Sequence, residues 1–166
     1  PSGKYKRQFF TDENAKKIDA IRDEIEALYF SNKLSFIEYN YILNSLIDGA
    51  DYVANISGTY GAYLKIWRSM ALKDLPLKNI KLFDNKLKNI AYQEDANELI
   101  QNIRGDVLYI DPPYNQRQYA SNFHVLESLA VWDKQELRGK TGLRDYDNQK
   151  SDYSYKSKAF HKLKDL

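Results

Sequence analysis

The chain has 166 residues, 43% of them hydrophobic and 29% charged, with a formal net charge of +2. That is enough for one domain with a real core, or for two small subdomains. The absence of cysteine excludes disulfides and thiolate metal sites, two histidines (His124 and His161) are too few for a histidine-based zinc site, and no apolar run approaches the roughly 20 residues of a membrane span.

Thr11 is placed to cap a first helix from Asp12 to about Tyr29, in which Ala15, Ile18, Ile21, Ile25 and Leu28 recur at helical spacing. Ser35-Phe36-Ile37-Glu38 is a capping box, where serine and glutamate satisfy each other's free backbone amides. It opens a second helix with Ile42, Leu43, Leu46, Ile47 and Ala50 as its buried stripe, ending near Asn55. Ser57–Gly61 breaks the pattern, and a shorter helix is predicted from about Ala62 to Met70. Leu72 to Asn89 reads as loop with one or two short strands. Ile90–Gln93 is a strand candidate, Asp95 to Ile103 a helix closed by Gly105, and Val107–Ile110 a strand buried on both faces. Together these predict a strand–helix–strand unit of the kind that builds parallel sheets. A last helix is predicted from Phe123 to Trp132, followed by a polar and mobile loop from Gly139 to Lys158. No internal repeat is visible.

Lys4–Arg7 and the stretch holding Lys65, Arg68, Lys73, Lys78, Lys81, Lys86 and Lys88 are locally basic. Such stretches can neutralise phosphates, although a solvated lysine face explains them as well. Tyrosine is frequent, 14 of 166 residues. Its ring can stack on a base, but most of these are expected to be half-buried packing residues.

The segment that carries chemistry is Asp111-Pro112-Pro113-Tyr114. It directly follows the predicted strand, where ligands of open α/β sheets sit. The prolines fix φ and remove backbone donors, leaving the carbonyls of Asp111 and Pro112 free to accept from a ligand. Tyr114 offers an aromatic face at the rim. Methylating an exocyclic amine needs acceptors for its hydrogens, so that the lone pair localises, and an aromatic ring to stack on a base taken out of the helix. The tetrapeptide holds one group for each need. A strand ending in a proline-rich turn is the alternative.

The tetrapeptide matches the motif of methyltransferases acting on amino groups of nucleic acid bases. Ile110–Tyr119 with Phe123–Glu127 resembles the adenine methylases of restriction–modification systems, particularly the Fok-type group of the Dam-like class. Arg7–Ala15, Ile18–Arg22, Val53–Asn55, Tyr60–Tyr63 and Gly139–Leu143 are similar to the same group, so the resemblance covers nearly the whole chain. It implies part of a Rossmann-like class I methyltransferase sheet with a mostly helical DNA-recognition region: residues 1–88 for recognition and 89–166 for a partial catalytic domain. It implies S-adenosylmethionine as methyl donor, double-stranded DNA as partner, no metal, no membrane, and a bacterial or archaeal cytoplasm.

By the resemblance, Asp111 and the Pro112 carbonyl hold the target amine, Pro113 stiffens the path, and Tyr114 stacks on a flipped adenine. Asp111 also lies beside the methionine end of the cofactor, and Asp95 with the amide of Ala96 meets its adenine. For Asp95 a helix N-cap is an equal reading. Arg117 and Tyr119 are candidates to touch DNA, as are Lys65 and Arg68 of the basic stretch; loop solvation is the alternative. His124 opens an apolar helix and is expected to be a packed structural residue.

One expected feature is missing. The family holds its cofactor with an aromatic-x-Gly-x-Gly turn, and the nearest segment, Ser57–Gly61, follows a helix end rather than a strand. The chain is therefore expected to be a fragment that works with a missing N-terminal segment or a companion subunit, inactive and weakly cofactor-binding alone. A DNA-recognition fragment without autonomous catalysis is the competing reading.

Overall fold

The computed structural model describes residues 4–112 and 117–154. They divide between two compact units, one within Pro1–Ile80 and Tyr119–Asp147, the other within Lys81–Gln118 and Asn148–Leu166.

The first unit is helical. Helix α1 spans Asp12–Phe30, and the Thr11 side chain accepts from the Asn14 amide at 3.1 Å, as an N-cap should. Helix α2 spans Phe36–Tyr52 behind the complete Ser35/Glu38 capping box, ending a turn before the expected Asn55. Helix α3, Ala96–Asn102, lies in the second unit. Helices α4 (Tyr119–Asn122) and α5 (His124–Val131) return to the first. Ile18 and Ile25 of α1, Leu46 and Ala50 of α2 and Leu129 of α5 form its core. Phe9, Ala54, Ile56 and Tyr60 make a second apolar cluster beside it.

Arg22 is fully buried where α1, α2 and α5 meet. It donates to the carbonyls of Leu129 at 2.6 Å and Ala130 at 3.2 Å, to the Tyr39 hydroxyl at 2.9 Å, and to the Glu26 carboxylate. The two carbonyls belong to the last turn of α5, where the helix dipole favours a cation. The Tyr39 hydroxyl in turn donates to Glu26 at 2.6 Å. Burial works against the Glu26 carboxylate, but the bonds from Tyr39 and Arg22 outweigh it and hold that carboxyl below its usual range.

Irregular chain is held onto the helices by side-chain amides. Buried Asn14 donates to the Lys73 carbonyl at 2.8 Å and accepts from the Leu75 amide at 3.1 Å. Pro76 then runs so close to α2 that a Cβ on Gly49 would lie 2.1 Å from its carbonyl oxygen, so only glycine fits there. Asn55, also fully buried, donates to the Leu64 carbonyl and accepts from the Arg68 amide, each at 3.0 Å.

Those bonds explain one departure from expectation. Residues 62–70 form turns and bends rather than a helix, with a single 3-10 turn at Met70–Leu72. Asn55 takes amides and carbonyls that a helix would have paired internally.

The expected Rossmann-like sheet is also absent among the described residues. The only ladder contact there is an isolated antiparallel bridge, Arg138 with Leu143. Ile90–Gln93 and Val107–Ile110 adopt no regular structure, and Val107 and Tyr109 are 89% and 84% exposed. A strand buried on both faces exists only with neighbours to bury it, and none is present among the described residues. Gly105 does not cap α3 either; Ile103 does, and Gly105 lacks the positive φ of a left-handed cap. Of the stretch expected to be a mobile loop, residues 139–154 contain a hairpin turn and two 3-10 turns, Asp147–Gln149 and Asp152–Ser154.

Helix α5 ends at Trp132, whose φ of 54° is left-handed. Its indole donates to Asp23 at 2.8 Å, and the next residue, Asp133, forms a two-pronged pair with Arg144 at 2.8 and 2.7 Å. The Arg144 hydrogen bond is the main cause that pulls the Asp133 carboxyl from its ordinary 3.8 to about 2.

Two predictions follow from these ionic contacts. Arg22→Met leaves two helix-end carbonyls and the Glu26 carboxylate without their partner. It should destabilise the unit by about 3–5 kcal/mol in urea unfolding, the usual cost of breaking one side of a buried pair. Asp133 has a depressed folded-state pKa, so its stabilisation is complete above about 4 and fades as pH falls toward about 2. The urea midpoints of wild type and Asp133→Asn should differ at pH 6 and converge only as pH falls below about 2.

Candidate functional site

In the second unit α3 begins at Asp95, whose carboxylate accepts from the Asn97 amide at 2.8 Å. The expected N-cap role of Asp95 is thus present, and the side chain stays exposed. One side of the helix supplies Leu99, Ile100 and Ile103 to a cleft of about 340 Å³. Residues 108–112 make its opposite wall, ending in Asp111 and Pro112, while Ala96, Asn97, Ser151 and Tyr153 complete it. Asp95 lines an adjoining opening with Gln93, Glu94 and residues 148–153.

Ala96, Asp111 and Pro112, chosen separately from the sequence, therefore share one cleft, and Asp95 stands next to it. Pro113 and Tyr114 lie outside the described residues. Arg117 is exposed, in the same unit. Lys65, Arg68 and Tyr119 belong to the helical unit. Lys65 is exposed, and Tyr119 is 56% exposed at the start of α4. Arg68 spends one guanidinium nitrogen on the Ile56 carbonyl at 2.6 Å. His124 is buried as expected, with Nδ1 3.0 Å from the Ser121 carbonyl and Nε2 2.9 Å from that of Thr141.

Gln118, Asn97, Ser151 and Tyr153 were not singled out in the sequence. The Gln118 carboxamide accepts from the Ser151 amide at 2.8 Å and donates to the Ser151 carbonyl at 3.3 Å. This two-point clamp ties the chain just beyond the Asp-Pro-Pro-Tyr segment to the wall of the cleft. Buried Tyr153 donates its hydroxyl to the Asn97 side-chain oxygen, and its amide is held by the Ser151 hydroxyl at 3.2 Å. The partners are 33 and 56 residues apart, so no local spacing marks them.

An apolar slot with a carboxylate and a proline-flanked carbonyl at one end can take a planar ring and accept hydrogen bonds from polar hydrogens on it. Among the described residues no group of three or more His, Cys, Asp or Glu side chains could hold a metal ion, and no helix is long and apolar enough to cross a membrane.

Comparison with known proteins fits this chemistry. The chain belongs to the D12 class N6 adenine-specific DNA methyltransferase family, whose pattern matches residues 2–165. It is 49% identical over 153 residues to the modification methylase StsI of Streptococcus sanguinis, covering 92% of this chain and 23% of that protein. It is 47% identical over 153 residues to the type II methyltransferase M.FokI of Planomicrobium okeanokoites, covering 92% and 24%. To the type II methyltransferase M.NlaIII of Neisseria lactamica it is 47% identical over 144 residues, covering 87% and 43%. The chain thus spans about a quarter of the first two relatives and less than half of the third. No solved structure matches it.

The clamp makes a direct prediction. Gln118→Leu leaves the Ser151 amide and carbonyl without their partner, at a cost of about 1–3 kcal/mol if they stay buried. Hydrogen exchange of the Ser151 amide should accelerate by at least tenfold while amides of α1 and α2 exchange as before.

Proposed function

We propose that this chain supplies the amine-holding and cofactor-binding groups of an enzyme that transfers a methyl group from S-adenosylmethionine to N6 of an adenine flipped out of duplex DNA. The setting is a restriction–modification system, as the names of the related modification methylases suggest. The observation that carries the reading is the single cleft holding Asp111, Pro112 and Ala96, with Asp95 beside it.

The donor set suits S-adenosylmethionine. Leu99, Ile100 and Ile103 offer an apolar wall to a purine, and two carboxylates flank it. When bound, the cofactor supplies an activated methyl on a sulfonium. Asp111 and the Pro112 carbonyl accept from the two N6 hydrogens, which localises the nitrogen lone pair toward that methyl. Asp111 would take up the surplus N6 proton once the cofactor had delivered its methyl to the amine. Tyr114 stacks on the extruded base, offsetting part of the unstacking cost of a few kcal/mol. Asp95 and the Ala96 amide meet the cofactor's adenine. Lys65, Arg68, Arg117 and Tyr119 contact the duplex, with residues 1–88 forming most of the recognition region and 89–166 the catalytic part.

The test is methyl transfer to duplex DNA by the complete gene product, read as N6-methyladenine. Asp111→Ala should lower kcat by roughly 10²–10⁴-fold, the range of a positioned acid–base group, with smaller changes in KM. Near-normal turnover by a folded Asp111→Ala protein would sink the assignment.

A further inference from the structure

Three segments that resemble the family, but have no part in the chemistry above, meet at one place in the helical unit. Arg7 comes from the first, His124 from the second, and the loop Gly139-Lys140-Thr141-Gly142 is the third. Arg138 and Leu143 exchange both backbone hydrogen bonds at 2.8 Å, which closes residues 139–142 into a four-residue hairpin loop. Successive carbonyls of this loop are taken by the protein. Arg7 donates to Gly139 at 3.2 Å and to Lys140 at 3.2 Å, and His124 Nε2 stands 2.9 Å from the Thr141 oxygen. Gly139 and Gly142 have φ of 70° and 77°, and a Cβ on Gly142 would lie 2.9 Å from Arg7 Cζ. Both glycines are needed, one for the backbone and one also for the guanidinium packed against it.

The loop's donors are not used in this way. The amides of exposed Lys140 and half-buried Thr141 reach no acceptor among the described residues, while Gly142 is buried under Arg7. Lys140 is exposed, with no carboxylate paired to it among the described residues, whereas neighbouring Arg138 is matched by Asp145 at 3.1 Å. More positive charge stands close by: Arg7 lies over the Tyr5 ring at 4.6 Å, and Lys4 reaches the same ring at 5.3 Å. The loop is therefore locked by its acceptors and left with consecutive backbone donors and a free ammonium. Consecutive amides of this kind bind anions, and a loop fixed beforehand loses little freedom on binding.

We infer that Gly139–Gly142 is a phosphate clamp that grips the DNA backbone, with Lys140 supplying the counter-charge and the loop amides the hydrogen bonds. The inference rests on the reading that the partner is duplex DNA, and it adds a contact that carries no sequence information but fixes register on the duplex. Inorganic phosphate shares the chemistry, so the test separates the two.

The 166-residue chain is titrated with a short duplex, and separately with inorganic phosphate, while amide resonances are followed. The duplex should shift the amides of Lys140 and Thr141 saturably, and equimolar phosphate should not. Equal shifts with phosphate alone would overturn the assignment to DNA. In binding measurements over a range of salt, Lys140→Ala should weaken affinity by the same factor for unrelated sequences. It should also reduce the slope of log K against log salt by about 0.9, one phosphate's worth. Lys140→Arg should keep the wild-type slope, and so should Lys33→Ala, an exposed lysine in the turn between α1 and α2. A wild-type chain that binds no duplex removes the clamp together with the DNA reading. Normal binding with an unchanged Lys140→Ala slope and unmoved loop amides removes the clamp alone.

Discussion

The helical unit depends on the burial of one charge. Arg22 is fully excluded from water, and a guanidinium cannot be left there without partners. Its partners come from all three packed helices: Glu26 on α1, Tyr39 on α2, and the Leu129 and Ala130 carbonyls on α5. The fork of the guanidinium fixes directions as well as distances. Leu129 is at once a core residue and a hydrogen-bond acceptor for Arg22, so α5 cannot shift along the pair α1/α2 without losing both. Beyond it, Trp132 and Lys134 return to Asp23 one residue along from Arg22. The chain therefore leaves α5 in a set direction, toward the Arg144 pair and the 139–142 loop.

Local interactions were legible in the sequence and distant ones were not. Thr11, Ser35 with Glu38, and Asp95 act within four residues of themselves, and all three caps are found where the residue types placed them. The apolar stripes of α1 and α2 were legible for the same reason, since helical periodicity is a property of neighbours. The 62–70 segment misled because its amides are taken by Asn55, which stands outside it. Val107–Ile110 misled in another way. A continuous apolar run says that a segment wants burial, but only other strands make it a sheet. Among the described residues Leu108, Tyr109 and Ile110 of that run instead line a cleft together with residues of α3.

The site was legible in its chemistry and hidden in its scaffolding. Asp111 and Pro112 could be put forward because methylating an amine limits which groups can hold it, whereas Asp95 and Ala96 came only through the family resemblance. Nothing in the chemistry requires Gln118, Asn97 or Tyr153. They shape the cleft through Ser151 and α3, and their spacing obeys only the fold. Tyrosine illustrates the difference. Its abundance allowed stacking on bases, but packing was the role expected of most, and Tyr39, Tyr60 and Tyr153 use their hydroxyls on Glu26, Asp51 and Asn97. Burial above all raises the Tyr60 phenol far beyond its usual range, so it remains a donor at any working pH.

Three carboxamides do in this chain what strands do elsewhere. A peptide group offers one donor and one acceptor, and irregular backbone that is buried must find both. A carboxamide offers the same pair on a side chain. Asn14 meets Lys73 and Leu75, Asn55 meets Leu64 and Arg68, and Gln118 meets both sides of Ser151. Each stands in for one residue of a neighbouring strand, and each fixes a segment with no regular structure of its own. The role tolerates neither aspartate nor glutamate, because a carboxylate of the same shape accepts but cannot donate. It would also bring a charge against the carbonyl that the amide now satisfies. Neutral amides at three buried positions thus help to order irregular parts of both units, and one of them, Gln118, holds Ser151 at the wall of the cleft.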